Sequence, residues 1–134
     1  MGDTGHPGEI QGRRLGEIAD HQLVIAGVSL MHRAPMRDFL HSHDLLIEAA
    51  SRAPRAAEIH AWLGKWHVLN VFKNYTTDFR RDTQQALDCT ARALDIDPSS
   101  SFGLTIDGFV HVNLLRELAT GEARYNAALE INPN

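Results

Sequence analysis

The chain has one cysteine in 134 residues, Cys89, so no internal disulfide can form and nothing calls for an oxidising compartment. On a helical pattern that thiol reads as a small core residue, not a nucleophile. Long apolar runs are missing too. The most apolar stretch, Leu23 to Met31, is far below the roughly 18 to 20 residues that cross a bilayer, and no membrane partner is expected. Basic residues are in deficit, with 13 Lys and Arg against 17 Asp and Glu, a formal net charge of −4 and a pI near 6.0. A nucleic-acid partner would leave a clustered basic footprint, so none is expected. Met1 to Arg14 is Gly-rich and polar, without the apolar centre of a secretory leader, which makes the cytoplasm the expected compartment. No segment alternates apolar and polar residues as a half-buried strand does. There is no phosphate-cradling Gly loop, no nucleophile elbow and no His-Glu-x-x-His. No catalytic residue, metal or cofactor is therefore expected, and the chain is not read as an enzyme.

What remains is helical periodicity punctuated by proline. Residues 1–13 carry four glycines, a proline and no apolar period, and read as a flexible lead-in to a single domain over 14–134. From Leu15 through Ile18, Leu23, Ala26 and Leu30 the apolar residues fall at helical spacing, until Ala34-Pro35 breaks the pattern. Pro35 opens a second helix to Arg52, closed by Pro54. A third runs from about Ala56 to Phe72. Thr77 or Asp78 can cap a fourth through Ile96, Asp97-Pro98-Ser-Ser100 ends it and caps a fifth to about Glu117, and Thr120-Gly121 begins a sixth to Ile131.

Two stretches say the same thing twice. Ala86 to Pro98 (Ala-Leu-Asp-Cys-Thr-Ala-Arg-Ala-Leu-Asp-Ile-Asp-Pro) returns in altered form as Ala123 to Pro133 (Ala-Arg-Tyr-Asn-Ala-Ala-Leu-Glu-Ile-Asn-Pro). The closing prolines 54, 98 and 133 lie 44 and 35 residues apart, so the units are about 15–54, 55–98 and 99–133. First helices carry a small residue for close crossing: Leu63-Gly64, Ala26-Gly27 and Asp107-Gly108. Second helices carry Ser42, Leu46 and Ala49; Ala86, Thr90 and Ala93; and Ala123, Tyr125 and Ala128. These residues resemble the tetratricopeptide repeat. The longer resemblance, through Trp62-Leu-Gly-Lys-Trp-His-Val and the Ala86 to Pro98 stretch, is to the tetratricopeptide regions of bacterial adenylate cyclases and winged-helix transcriptional activators. His60 and His67 stand where that family more often has aromatic residues.

The resemblance implies an all-α fold of three antiparallel helix pairs stacked as a right-handed superhelix. It implies a non-catalytic module for protein–protein interaction or self-association, part of a bacterial regulatory protein, or a segment gating an attached cyclase or activator domain. The ending Asn132-Pro133-Asn134, where another repeat could begin, carries the expectation that the chain is a piece of a larger regulator.

Eight histidines invite a metal reading that helical geometry disfavours. His41 and His43 would point about 200° apart, and His60 and His67 would lie about 10.5 Å apart along the axis. Trp62 and Trp66, one turn apart, read as core packing ahead of ligand stacking. The surface left for function is the concave face of the first helices, with candidate groove residues Val24, Val28, Met31, Lys65, Val68, Phe102, Phe109, Val112 and Asn113. The face is largely apolar, so the expected occupant is a protein or peptide, or a second copy of the chain, held through Phe102 and Phe109. The Lys and Asn residues of a carboxylate clamp are replaced by Val24, Val28 and Phe102, which disfavours chaperone tails.

Overall fold

The computed structural model describes residues 8–133, with side chains from residue 20 onward, and divides into two compact units, Met1–Arg52 and Ala53–Asn134. Among the described residues it is all-α. The helices are α1 (Gly8–Met31), α2 (Met36–Arg52), α3 (Ala57–Phe72), α4 (Phe79–Ile96), α5 (Ser101–Asn113) and α6 (Leu118–Ile131). In the first unit α1 packs on α2. In the second, α3 packs on α4 and α5 on α6, and α5 also packs on both α3 and α4.

Most helix ends follow from local chemistry. Pro35 offers its carbonyl to the Phe39 N–H and opens α2, with Asp38 in the first turn and Arg52 in the last. The Asp78 carboxylate accepts from the Arg81 N–H to cap α4, and the Ser100 hydroxyl accepts from the Gly103 N–H to cap α5. After α3, Asn74 takes a left-handed φ of 62°, and the Tyr75 and Asn74 N–H groups return to the carbonyls of Asn70 and Val71. That is a Schellman closure with Asn in the place glycine usually holds.

Three boundaries differ from expectation. Helix α1 begins at Gly8, ahead of Leu15. Glycines 12 and 16 each cost a helix about 1 kcal/mol but do not stop it, and no proline follows until Pro35. Residues 1–7 of the expected lead-in lie outside the described residues. Helix α5 stops at Asn113 instead of Glu117, because Arg116 turns to φ 60° and the Glu117 N–H reaches back to the His111 carbonyl. Helix α6 then starts at once at Leu118, which places Gly121 inside the helix and not at its head.

The glycine positions show why the helices can cross closely. A Cβ on Gly27 would stand 2.9 Å from Leu46 Cγ, one on Gly64 2.8 Å from Thr90 Cγ2, and one on Gly108 2.9 Å from Tyr125 Cε1. Each first helix thus meets its second at the same place in the repeat. The buried small residues flanking those crossings are Ser42 and Ala49, Ala86 and Ala93, and Gly121 and Ala128. In the last copy Gly121, not the exposed Ala123, holds the inner position, because any Cβ there would run into Val112.

The 44-residue and 35-residue spacings also resolve. Helices α3 and α4 have 16 and 18 residues, α5 and α6 have 13 and 14. Connection 73–78 is two residues longer than connection 114–117. The longer spacing therefore reflects about one extra turn on each helix plus a slightly wider connection: within Asn70 to Arg81, residues 70–72 and 79–81 are helical and 73–78 form the connection.

Candidate functional site

Residues 62, 65, 69 and 72 fall on one stripe of α3, and 102, 106 and 109 on one stripe of α5, so packing α5 on α3 sets two apolar stripes side by side. At one end the Trp62 and Phe102 rings meet with centroids 4.6 Å apart at 50°. At the other Phe72 and Phe109 meet at 5.5 Å and 57°. Between them lies a cavity of about 140 Å³ lined by Lys65, Val68, Leu69, Ile106 and Phe109, with no polar atom in its wall. Lys65 contributes its hydrocarbon stem, and its Nζ sits 5.3 Å from the Trp62 ring centre, a cation over an aromatic face.

Of the candidate residues, Lys65, Phe102 and Phe109 come together on this face. Val68 lines the cavity from a buried position: it is 3% exposed and belongs to a core cluster with Ala86, Val110 and Leu114. Val112 turns elsewhere: its side chain is the nearest neighbour of Gly121, so it is spent on the α5–α6 contact. Asn113 is exposed at the end of α5, where its amide donates to the Phe109 carbonyl at 3.1 Å. Met31 is fully buried in the first unit and is core, not surface. Val24 and Val28 are half-buried on α1. Sequence reasoning missed Leu69 and Ile106 as lining residues and Phe72 as the ring packed on Phe109. The stripe Trp62, Lys65, Leu69, Phe72 was the available signal, at i, i+3, i+7 and i+10.

Two histidine–carboxylate clusters lie at matching places in the two helix pairs, the first buried and the second partly exposed. His67 Nδ1 stands 2.7 Å from Asp82 Oδ1, and the other oxygen accepts from Asn70 at 3.0 Å and from the Thr76 hydroxyl. The Thr76 hydroxyl in turn accepts from the Asp78 N–H at 3.1 Å, which ties the connection to the head of α4. Burial pushes the His67 pKa down against the pull of Asp82, so His67 is neutral near pH 7 and donates its Nδ1 proton. Burial would raise the Asp82 pKa, but the donors Thr76, His67 and Asn70 outweigh it and hold the carboxyl below its ordinary range.

In the next pair His111 Nδ1 stands 2.7 Å from Glu117 Oε1 and its Nε2 3.3 Å from Asp107 Oδ2. Buried Asp107 also accepts from Thr90 at 2.5 Å and from Arg124 Nε at 2.8 Å. His111 follows His67 by the same 44 residues as Gly108 follows Gly64, and Glu117 follows Asp82 by the same 35 as Tyr125 follows Thr90.

No protein-family model matches this sequence, and no curated protein matches it either.

The clusters are committed to packing. Among the described residues no group of three or more His, Cys, Asp or Glu side chains could hold a metal ion, and no helix is long and apolar enough to cross a membrane. Cys89 is half-buried, with its thiol pushed up to about 11 by burial and by nearby Asp88, so it carries little thiolate at neutral pH.

Proposed function

We propose that the chain is a non-catalytic interaction module of tetratricopeptide-like antiparallel helix pairs, serving a bacterial cytoplasmic regulator by holding a protein or peptide on the α3–α5 face. The observation that carries this reading is the cavity without a polar wall atom, set between two aromatic pairs with Lys65 at its rim. It has room for about one aliphatic side chain of a partner. The aromatic rings supply contact area at low entropic cost. The Lys65 ammonium favours an acidic group beside that anchor and disfavours a basic one.

Selection of a random-peptide library on the immobilised full chain tests this. The wild type should enrich peptides pairing a large aliphatic residue with an acidic neighbour, and Phe109→Glu should enrich none while keeping its helical circular dichroism. Equal enrichment by both proteins, or loss of half the helical signal in the variant, would remove the assignment.

A further inference from the structure

A second apolar surface lies on the other side of α5, where a cleft of about 560 Å³ opens between α5 and α6. Its wall includes Phe102, Thr105, Tyr125 and Leu129. The equivalent place one pair earlier is filled, and its occupant shows what such a cleft takes. There α5 itself lies against α3 and α4. Gly103 sits on Leu94, so close that a Cβ would be 3.3 Å from Leu94 Cδ2, and two turns further along Leu87 joins the cluster containing Val110 and Leu114. Moving on by the 35-residue spacing puts Leu129 in the place of Leu94 and Glu122 in the place of Leu87. Both are exposed, Leu129 by 56%.

We infer that the α5–α6 cleft seats an amphipathic helix of a protein partner that carries a small residue over Leu129 and a basic residue two to three turns later, opposite Glu122. The first requirement repeats the fit of Gly103 on Leu94. The second is charge complementarity: an apolar residue at the Leu114 place would bury the Glu122 carboxylate without a partner, and Lys or Arg satisfies it. This surface shares Phe102 with the α3–α5 face, while Leu129 and Glu122 on α6 lie outside that face.

A stapled helical peptide copying residues 100–115, with Leu114→Lys in the peptide, is the probe, and anisotropy against the full chain is the readout. Binding should be saturable and at least tenfold weaker to the Leu129→Glu protein. The Glu122→Lys protein should lose at least tenfold for the same peptide and regain it for a peptide carrying Leu114→Glu. Absence of binding, or binding indifferent to the charge exchange, overturns the inference. So does light scattering that shows a dimer of the free protein dissolved by Leu129→Glu, since the occupant would then be a second copy.

Discussion

The α3–α4 and α5–α6 pairs make the same histidine–carboxylate stitch at the same 2.7 Å distance, but they set it at different depths. The Asp82 side chain is 6% exposed and receives three side-chain donors, while the Glu117 side chain is 53% exposed and receives one. The shorter pair moves its buried charge to Asp107, which Thr90 and Arg124 satisfy. Identical distances therefore do not mean identical worth: a bond in water competes with water, and a buried one leaves its partners stranded when it is removed.

The comparison breaks most sharply at Asp82. Asp82→Ala strands buried His67 and Asn70, and should cost about 3 kcal/mol in urea unfolding. A loss below about 1 kcal/mol would mean that the site is wetter than it looks.

Acidification acts on the same cluster with a definite sign. His67 has an ordinary pKa of 6.5 that burial lowers in the folded chain, so the unfolded chain takes up the proton first. Stability should fall as pH drops below about 6.5, by at most about 1.4 kcal/mol per pH unit from this group. Asp82, also lowered, adds a second loss with the same sign only in acid, below its ordinary 3.8. His67→Gln should flatten the first leg and keep the second. An unchanged slope between pH 7 and 5 would assign the effect to other groups.

Arg116→Gly should stabilise by about 1 kcal/mol, since arginine is held at φ 60° where glycine is unstrained. A neutral or negative change in melting would show that the Arg116 side chain contributes more than its backbone costs. The smallest effect belongs to Glu117→Ala, about 0.5 kcal/mol, because the lost pair is half in water and His111 keeps Asp107. A cost equal to that of Asp82→Ala would erase the distinction drawn from depth.

The helices were legible where the chain punctuates itself. Pro35, Asp78 and Asp97-Pro98 have mechanisms that fix α2 and α4 to within a residue. The end of α5 was not legible, since nothing in Leu-Leu-Arg-Glu announces that an arginine will turn left-handed. On the candidate face, Lys65, Phe102 and Phe109 could be read from spacing. The burial of Val68 and the turn of Val112 toward Gly121 could not, because the concave-face register assumes one covered side, and α5 packs on α3, α4 and α6. The matched histidines escaped as well. Their carboxylates stand 15 and 6 residues away, and only the folded pairs show that the nine-residue difference is absorbed by helix and connection.

That absorption has a consequence for how such a chain can change in length. Helix α3 exceeds α5 by three residues and α4 exceeds α6 by four, so each grows by about one turn of 3.6. Adding a full turn to both arms of a hairpin leaves every side chain facing the way it did before. Adding two residues to one arm would swing its outer half by about 200° and bring polar positions onto the apolar side. The two pairs thus differ by whole turns in their helices and by two residues in the connection, so a length change at this tip should cost least when the helices change by full turns and the connection takes up the remainder.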